Sequence, residues 1–385
     1  MQLCFLIYSW FPHGGQQRDF LKLVEEAVHR GHQVTVFTLA WKGEKPQHVE
    51  VVQLPLKAMT RLRLYRKFTE QVQYQLARRQ LDAVIGFNKM PGLDVYFAAD
   101  PCFAYKAEKQ RGFYYRFMPR YRHFIRYERA VFGEQQDTRI LLLSPLQRQQ
   151  FLSYYPACEP RLVDLPPGIS LARRPPANAA AVRAQRREQL GLGEADRLVV
   201  QVGSGFVVKG VDRSLRALAS LPVSLRDRCH YLIIGDDKPG RFQRLAKRLG
   251  IAGQCQFLGG RDDVLDYLLA ADLLLHPAYS ESAGYVLLEA IIAGLPVLTT
   301  DTCGYAFHVL QADAGQVCVS PFKQQDLNER LAQMLLSEQR SQWSHNGLRY
   351  GEQKDLYAMQ EHALNEIEAF VHARGKRRQV DVVSA

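Results

Sequence analysis

The feature that most constrains the fold of this chain is a repeated alternation of strand-length apolar runs with segments of helical spacing. The apolar runs of the first half occupy 2–8, 33–38, 49–54, 82–87, 95–98 and 140–144. The helical segments between them occupy 16–30, 64–79 and 145–154. Strands that alternate with helices predict a parallel sheet covered by helices on both faces.

The alternation starts again after a proline-rich break, LPPG at 165–168, which is the predicted hinge. The later strands are predicted at 197–203, 231–235, 256–258, 273–276 and 296–300, and the later helices at 212–220, 240–249, 264–271 and 284–293. We therefore expect an α/β protein with two Rossmann-like, doubly wound domains, 1–168 and 169–354, that face a central cleft. The remaining segment, 355–385, is predicted to form a helix that packs back on the first domain and to end in a frayed tail at 380–385.

Length and composition exclude several classes of protein. The chain has 385 residues, too many for one ordinary α/β core and enough for two. No stretch approaches the roughly 18 uncharged apolar residues of a membrane-spanning helix, and the apolar N-terminus is predicted to be a buried strand rather than a signal peptide. The seven cysteines are scattered without a C-x-x-C pair, which is typical of free thiols in a reducing cytoplasm. The net charge of +11 favours an anionic partner: nucleic acid, a membrane surface or a phosphorylated substrate.

Ligands of open α/β sheets bind outside the carboxyl ends of the strands, so the segments that follow each strand are the candidates for a site. The first is FPHGGQQRD at 11–19. Gly14 and Gly15 let the backbone approach a ligand closely, and the next helix offers free N–H groups. The segment is not G-x-G-x-x-G, which disfavours a nucleotide-dependent oxidoreductase. The alternative interpretation is a tight strand–helix turn.

The second segment is QVGSGFVVKG at 201–210, after the first strand of the second domain. Lys209 stands at the entry to a helix, where a point charge beside unpaired N–H donors suits a diphosphate. The alternative is a solvated surface lysine.

The third segment, ESAGYVLLEA at 281–290, is the most specific. Glu281 precedes a helix and is expected to point into the cleft. Glu289 lies about two turns into that helix among apolar residues, and a buried carboxylate must be hydrogen-bonded. The vicinal hydroxyls of a ribose are a natural partner. The alternative is a helix cap followed by an exposed glutamate.

Three further charged residues follow a predicted strand or the hinge: Asp100, Arg173 and Arg261. Each alone is more often a cap or a surface charge, but together with the three segments they form a ring around one cleft. The sequence has no Asp-x-Asp pair, so we expect neither a divalent metal nor any other cofactor.

With these residues, the chain resembles the retaining glycosyltransferases of the two-Rossmann-domain (GT-B) class over essentially its whole length. Glu281 and Glu289 match the E-x7-E signature, and Lys209-Gly210 matches the phosphate-binding K-G. Longer strings narrow the resemblance to the glucosyltransferases of the lipopolysaccharide core: GFNKMPGLD at 86–94, LPPGI at 165–169 and HPAY at 276–279.

The resemblance implies a role for each candidate. Glu281, Ala283 and Gly284 would contact the hexose and phosphate, Val286 would also contact the donor, and Glu289 would bind the ribose. The other implied donor ligands are Gly15, Asp19, Arg173, Lys209 and Arg261. Asp100 would lie near the reacting centre, and Asp100, Lys209 and Glu281 are the catalytic candidates. Ser204 stands where many members carry arginine, and Val208 where relatives carry a basic residue, so Lys209 and Arg173 would carry more of the phosphate charge.

A basic aromatic segment, 103–132, holds eight Lys/Arg and ten aromatic residues against two glutamates. Basic residues bind anionic head groups and aromatic rings sit at the membrane interface, so Arg116, Arg120, Arg122 and Arg126 are predicted membrane ligands. Single-stranded nucleic acid binds the same mixture, and a helix with a core-facing aromatic stripe is the third interpretation. The membrane-anchored acceptor that the resemblance implies favours the membrane over nucleic acid.

The resemblance thus implies transfer of a hexose, glucose in the first instance, from a UDP-sugar to the inner-core heptose of lipopolysaccharide, at the cytoplasmic face of the bacterial inner membrane. UDP-galactose and a UDP-N-acetylhexosamine remain alternative donors. A non-hydrolysing sugar-nucleotide epimerase shares the architecture, and a non-catalytic sugar- or membrane-binding protein would not need Lys209, Glu281 and Glu289 together. The sequence leaves the oligomeric state open.

Overall fold

The computed structural model describes residues 1–12 and 14–383, and the chain divides into two compact units. The first unit comprises Met1–Gly168 and Ala358–Ala385, and the second comprises Ile169–Tyr357. His13, which belongs to the first glycine-containing segment, lies outside the described residues.

The first unit is built on a seven-stranded sheet. The seven strands of this sheet are β1 (Gln2–Leu6), β3 (Gln33–Thr38), β5 (Val49–Gln53), β6 (Ala83–Gly86), β7 (Val95–Phe97), β8 (Arg139–Leu142) and β9 (Leu162–Asp164). Strands β2 (Ser9–Trp10) and β4 (Ala40–Trp41) form a separate two-stranded parallel sheet. Its helices before the hinge are α1 (Gly15–His29), α2 (Arg61–Leu76), α3 (Phe103–Gln110), α4 (Pro119–Phe132) and α5 (Pro145–Leu152).

Every strand pair of this sheet is parallel, in the order β5-β3-β1-β6-β7-β8-β9. The chain therefore builds outward from β1 in one direction and then returns to build from β6 in the other. The gap between β1 and β6 is the topological switch point, where the loops that follow the two strands diverge and leave a crevice. Helix α1 packs on the sheet because Phe20, Leu23, Val24 and Ala27 recur at helical spacing and are fully buried.

The second unit has a six-stranded sheet. Its strands are β10 (Arg197–Val202), β11 (Cys229–Ile234), β12 (Cys255–Gly259), β13 (Leu273–His276), β14 (Val297–Thr300) and β15 (Gly315–Cys318). Its helices are α6 (Ala179–Gln189), α7 (Val211–Ala219), α8 (Val223–Arg226), α9 (Gly240–Arg248), α10 (Val264–Ala270), α11 (Tyr285–Ile292), α12 (Ala306–Gln311), α13 (Gln324–Leu336) and α14 (Arg340–Gln353).

This sheet is also wholly parallel, in the order β12-β11-β10-β13-β14-β15. That order is the usual one of a dinucleotide-binding Rossmann sheet, with the switch point between β10 and β13. The predicted α/β class with two doubly wound sheets is therefore confirmed. The loops after β10 and β13, which carry Lys209 and Glu281, flank the switch point of the second unit.

The chain ends in α15 (Met359–Val383), which returns to the first unit. It packs on α1, and Glu368 accepts from Arg30 (3.2 Å) and His32 (2.8 Å), which directly follow α1. Glu366 pairs with Arg139 at the start of β8 (2.9 Å). The predicted return of a C-terminal helix to the first domain is thus confirmed. The helix extends to Val383, inside the tail predicted to fray at 380–385, and Ser384 and Ala385 lie outside the described residues.

Several elements were not predicted from the sequence, among them β9, β15, α6 and the helices α12 to α14. Helix α6 has no buried residue, so it lacks the apolar spacing by which a helix is recognised. It is fixed instead by Arg183, which donates to the carbonyls of Leu269 and Ala270 at the end of α10 (3.0 and 2.8 Å) and to Asp272 (2.6 Å). Within the described residues, no helix combines the length and apolar character needed to cross a membrane.

Candidate functional site

The switch point of the second unit brings two predicted catalytic residues into contact. Lys209 ends the loop after β10, and Glu281 lies in the loop after β13. Lys209 Nζ donates a hydrogen bond to Glu281 Oε2, and His276 Nε2 at the end of β13 lies 3.4 Å from the same oxygen. Two segments that are 72 residues apart in sequence thus form one charged cluster.

The cluster is held in a mostly desolvated setting. The side chains of Lys209 and Glu281 are each 18% exposed, and that of His276 is fully buried. Burial lowers the pKa of the Lys209 ammonium to about 8, while the neighbouring Cys303 acts in the opposite direction. Burial, and then the neighbouring Lys209, lowers the pKa of His276 to about 3, so His276 is neutral at physiological pH. Lys209 is therefore the cation of the cluster.

Glycine at position 210 allows the two loops to approach each other. Gly210 has a φ of +71°, and a Cβ built there would overlap the carbonyl oxygen of Pro277. Only glycine fits, because any side chain would be strained by the φ and would collide with backbone. The amide of Tyr279 donates to the carbonyl of Val208 (2.8 Å) across the same junction. The K-G pair therefore supplies both a cation and a close backbone contact.

Main-chain hydrogen bonds to the loop after β14 position Glu281. The amide of Glu281 donates to Thr302 O (3.0 Å), and its carbonyl accepts from the amide of Gly304 (3.0 Å). The carbonyl of buried Ala283 accepts from the amide of Tyr305 (2.7 Å). Because three strand-end loops are linked in this way, the Glu281 backbone is fixed independently of its side chain.

Two helices begin at the switch point, each after a glycine. Helix α7 follows Gly210, and α11 follows Gly284, whose φ is +99°. Neighbouring carbonyls already accept from several first-turn amides, those of Val211 (Phe206 O, 3.1 Å), Arg213 (Gly210 O, 2.9 Å) and Leu287 (Gly284 O, 2.9 Å), so the attraction for an anion comes from the positive ends of the two helix dipoles. Val286, in the first turn of α11, is half-buried. The geometry therefore combines two helix N-termini with the Lys209 ammonium, which is an arrangement suited to a diphosphate.

The second glutamate of the E-x7-E segment is buried, as its surroundings predicted. Glu289 is 5% exposed, and six of the eight residues of α11 are buried. Its Oε1 lies 3.6 Å from Nε of Arg173, which ends the short 3-10 turn Leu171–Arg173. Two of the predicted nucleotide ligands are thus neighbours.

Arg261 lies on a different loop, after the edge strand β12. Its guanidinium binds the Asp263 carboxylate through Nε and Nη2, both at 2.9 Å. The structure does not bring it into contact with Lys209, Glu281 or Glu289 within the residues it describes.

A buried polar network behind Lys209 was not anticipated from the sequence. Gln201 Nε2 donates to the carbonyl of Lys209 (2.6 Å), and Ser214 Oγ donates to Gln201 Oε1 (2.7 Å). Tyr231 OH donates to the same oxygen. These buried hydrogen bonds fix the backbone of Lys209 on its core side. The one sequence feature that could have revealed the network is a glutamine inside the apolar strand β10.

The first unit places its candidates at its own switch point. Gly15 is the first residue of α1, with open space where a Cβ would lie, and Asp19 is buried one turn later. The neighbouring Gln16 donates to the carbonyl of Phe87 after β6. Asp100 follows β7 and lines a cavity of about 290 Å³. Burial raises the pKa of the Asp100 carboxyl, while Lys89 and a hydrogen bond with Asn88 act in the opposite direction.

Glu128 has a structural role that its position in a basic segment concealed. This fully buried carboxylate accepts from Lys89 Nζ (2.7 Å) and from the amides of Phe103 (2.6 Å) and Ala104 (2.9 Å). It therefore caps the N-terminus of α3 from within α4, and it fixes Lys89 beside Asp100.

The basic aromatic segment has one buried and one exposed side. On the inner side, Tyr127, Glu128, Val131 and Phe132 of α4 are buried. On the outer side, Phe113, Tyr114 and Phe117 are 66%, 83% and 60% exposed. Arg116, Arg120, Arg122 and Arg126 are exposed along the same stretch, and Arg120 also lines the cavity that contains Asp100. The segment thus combines a core-facing stripe with an exposed apolar and cationic surface.

Known proteins match this chain over both units. Glycosyltransferase Family 4 matches residues 13–173, and glycosyl transferases group 1 matches residues 182–350. The chain is 45% identical over 366 residues to lipopolysaccharide glucosyltransferase WaaG of Escherichia coli K12, an alignment that covers 95% of this chain and 98% of that protein. It is 32% identical over 200 residues to D-inositol 3-phosphate glycosyltransferase of Streptomyces scabiei, covering 48% of this chain and 44% of that one.

Solved structures agree with these matches. The crystal structure of WaaG, a glycosyltransferase involved in lipopolysaccharide biosynthesis, superposes with a TM-score of 0.90 at 44% identity, covering 95% of this chain and 99% of that chain. Anabaena HepE in complex with UDP and glucose superposes with a TM-score of 0.74 at 18% identity, covering 96% and 100%, which shows a common fold. These superpositions confirm the GT-B fold. Since the identity to WaaG extends over nearly the whole of both chains, this chain belongs to the family of lipopolysaccharide glucosyltransferases within the group 1 glycosyltransferases.

Proposed function

We propose that this protein transfers glucose from UDP-glucose to the inner-core heptose of lipopolysaccharide, with retention of the anomeric configuration. The observation that carries the proposal is the contact between Lys209 and Glu281 at the switch point of a Rossmann-like sheet. The lipopolysaccharide glucosyltransferase activity of WaaG, at 45% identity, supports the substrate class.

The proposed chemistry follows the movement of charge. Cleavage of the sugar–phosphate bond leaves negative charge on the diphosphate and positive charge on the sugar. Lys209 and the positive ends of the α7 and α11 helix dipoles stabilise the developing negative charge without reorganising, and in many enzymes such preorganised electrostatic stabilisation accounts for most of the rate enhancement. Glu281 keeps the ammonium in place and offers its carboxylate to the sugar hydroxyls. By resemblance to the family, the acceptor attacks on the front face and the leaving phosphate assists its deprotonation.

The remaining donor contacts are proposed as follows. Glu289 binds the ribose hydroxyls while Arg173 beside it faces the nucleotide. Gly15 and Asp19 of the first unit contact the diphosphate and sugar, and Arg261 contributes to nucleotide binding. Ala283, Gly284 and Val286 line the donor at the start of α11. Asp100 lies near the reacting hydroxyl of the acceptor.

We further propose that the protein binds peripherally to the cytoplasmic face of the inner membrane. The exposed rings Phe113, Tyr114 and Phe117 would lie at the interface, and Arg116, Arg122 and Arg126 would bind anionic head groups. A membrane-anchored acceptor makes such an attachment useful, since it keeps the enzyme at the surface that holds its substrate.

The identity of the sugar is tested by a donor panel. UDP-glucose, UDP-galactose, UDP-N-acetylglucosamine and UDP-N-acetylgalactosamine are each incubated with truncated lipopolysaccharide, and transfer is read by mass spectrometry. We expect UDP-glucose to give the highest kcat/KM. If UDP-galactose or a UDP-N-acetylhexosamine gives a higher kcat/KM, that sugar nucleotide is the donor instead of UDP-glucose, and the transferase assignment still holds.

A further inference from the structure

The cavity that contains Asp100 lies wholly within the first unit, at the carboxyl ends of three adjacent strands. Tyr8 follows β1, Asn88 follows β6 and Asp100 follows β7, and all three line the cavity. We call it the Asp100 pocket. It lies at the switch point of its own sheet, the position where open α/β sheets bind their ligands.

The inner wall of the Asp100 pocket is made of fixed polar groups. The amide of Tyr8 donates to Asn88 Oδ1 (2.9 Å), and the ring of Tyr8 stacks on that of Tyr65 with centroids 4.0 Å apart. Lys89 is held by Glu128 and by the carbonyl of Pro101, both at 2.7 Å. These groups, with the Asp100 carboxylate, can bind the hydroxyls of a sugar.

The outer wall carries three cations: Lys106 on α3, Arg111 after it and Arg120 on α4. In the described part of the chain, no carboxylate oxygen lies within 4.0 Å of any of them; Glu108, the acidic residue of α3, contacts Lys109 and Arg116 instead. Arg111 lies over the ring of Tyr115 and Arg120 over that of Phe124, both at 5.6 Å. The two guanidinium groups are therefore positioned by aromatic rings without being neutralised.

Lys106 is the cation of the outer wall that burial and its cationic neighbours both affect. Burial lowers the pKa of its ammonium, and Arg111, Arg120 and Lys89 lower it further, while Asp100 acts in the opposite direction. Like charges gathered in a partly buried pocket are unfavourable unless an anion binds among them. The outer wall therefore has the charge of an anion-binding site, and it is made of first-unit residues alone.

We propose that the Asp100 pocket is an acceptor subsite in which Lys106, Arg111 and Arg120 bind an anionic group, phosphate or carboxylate, of the acceptor glycan while Asp100 and Asn88 face its hydroxyls. This proposal rests on the proposed glycosyl transfer to an inner-core glycan, and it adds a requirement for charge on that glycan. It also divides the basic aromatic segment into a pocket-facing part and the outward-facing part that carries Arg116, Arg122 and Arg126.

The test compares a charged acceptor with a neutral one. The charged acceptor is the delipidated core oligosaccharide, and the neutral one is the same oligosaccharide after removal of its phosphates and reduction of its carboxylates. For the wild type we expect kcat/KM to be at least tenfold higher with the charged acceptor. The triple variant Lys106→Gln, Arg111→Gln, Arg120→Gln should lose most of this preference through KM, with UDP affinity unchanged by calorimetry.

A matched variant separates the pocket from general charge effects. Arg241→Gln, Arg244→Gln, Lys247→Gln removes three exposed cations from α9 of the second unit. It should keep the wild-type preference for the charged oligosaccharide. If the pocket variant is poorly folded, Arg111→Glu, at an exposed position, replaces it and should lower the preference to a similar extent.

Three results would overturn the proposal. The first is equal transfer by the wild type to the charged and neutral oligosaccharides, and the second is a preference that survives in the pocket variants. The third is a preference found only for acceptors embedded in anionic vesicles, in which case the lipid head groups are the ligand. Absence of transfer to every acceptor, with UDP still bound, would instead contradict the proposed function.

Discussion

Arg173 Nε lies 3.6 Å from Glu289 Oε1, which ties the short turn after the hinge to the second turn of α11. The two residues are 116 positions apart in sequence, and the side chain of Glu289 is 6% exposed. The fold therefore brings a guanidinium next to a nearly buried carboxylate, which would be costly to leave without a cation.

We expect Arg173→Met to weaken UDP binding by about tenfold, since a hydrogen bond to a charged group contributes about 1.5–3 kcal/mol. Thermal stability should also fall, because the Glu289 carboxylate loses the adjacent guanidinium. Glu289→Gln should weaken UDP binding but leave the melting temperature nearly unchanged, since the amide oxygen can still accept a hydrogen bond within the protein. Calorimetry and thermal unfolding of both single variants and of the double variant measure the coupling free energy between Arg173 and Glu289, in UDP binding and in stability. Unchanged UDP affinity in all three would make the pair purely structural.

Gly210→Ala should be far more damaging than Gly205→Ala. Both glycines have a positive φ, +71° and +80°, so both substitutions incur the strain of a left-handed conformation, about 1–2 kcal/mol. Only at Gly210 would the Cβ meet backbone, at the carbonyl oxygen of Pro277, whereas nothing lies within 4 Å at Gly205. We expect Gly210→Ala to abolish UDP binding and Gly205→Ala to retain it, as measured by calorimetry. Equal effects of the two variants would show that the loop junction tolerates separation.

Transfer should persist in excess EDTA. The sequence has no Asp-x-Asp pair, and no group of three or more potential metal-binding side chains occurs in the described residues. Lys209 and the positive ends of the α7 and α11 helix dipoles are expected to balance the diphosphate charge. The measurement is the initial rate before and after chelation, with magnesium or manganese added back. Full loss on chelation that either ion restores would show that an ion carries this charge.

Vesicle binding should require anionic lipid and should weaken with salt without vanishing. Each cation near an anionic surface contributes about 1 kcal/mol, within a Debye length of about 8–10 Å, while burial of the aromatic rings is not screened. Co-sedimentation of wild type, Arg116→Gln/Arg122→Gln/Arg126→Gln and Phe113→Ser/Tyr114→Ser/Phe117→Ser, at low and high salt, separates the two contributions. Arg120 is left unchanged because it lines the Asp100 pocket.

The arginine variant should lose the salt-sensitive part of the binding and the aromatic variant the salt-resistant part. Equal sedimentation of all three proteins, or binding that ignores lipid charge, would assign the segment to acceptor scaffold alone.

The architecture was predictable because each parallel strand is a short apolar run followed by a helical pattern. The apolar runs do not show which strands lie next to each other in the sheet. The contact between Lys209 and Glu281 depends on β10 lying next to β13, and that adjacency follows from the Rossmann topology rather than from any local feature of either segment. The sequence could therefore place both residues at strand ends, while their direct pairing emerged only from the fold.

The supporting residues were less predictable, since nothing in their types distinguishes them. Gln201, Ser214 and Tyr231 are common residues whose network exists only because β10, α7 and β11 are packed together. In the sequence, Glu128 is one of two glutamates in a basic segment, with nothing to indicate that it is buried. In the structure it caps the N-terminus of α3. Likewise, Arg120 belongs by composition to the membrane-facing surface, and only the fold places it along the Asp100 pocket.

The most direct test of the proposed transferase activity is the rate of glucose transfer from UDP-glucose to truncated lipopolysaccharide by wild type, Lys209→Ala and Glu281→Ala. Lys247→Ala, at an exposed position on α9, is the matched control, and circular dichroism checks that each variant is folded. We predict that wild type and Lys247→Ala add one hexose to the acceptor and consume UDP-glucose only when acceptor is present. Lys209→Ala and Glu281→Ala should each be slower by about 100-fold or more, the loss expected for a transition-state electrostatic contact. Near-normal transfer by either folded variant, or conversion of UDP-glucose without acceptor, would contradict this assignment.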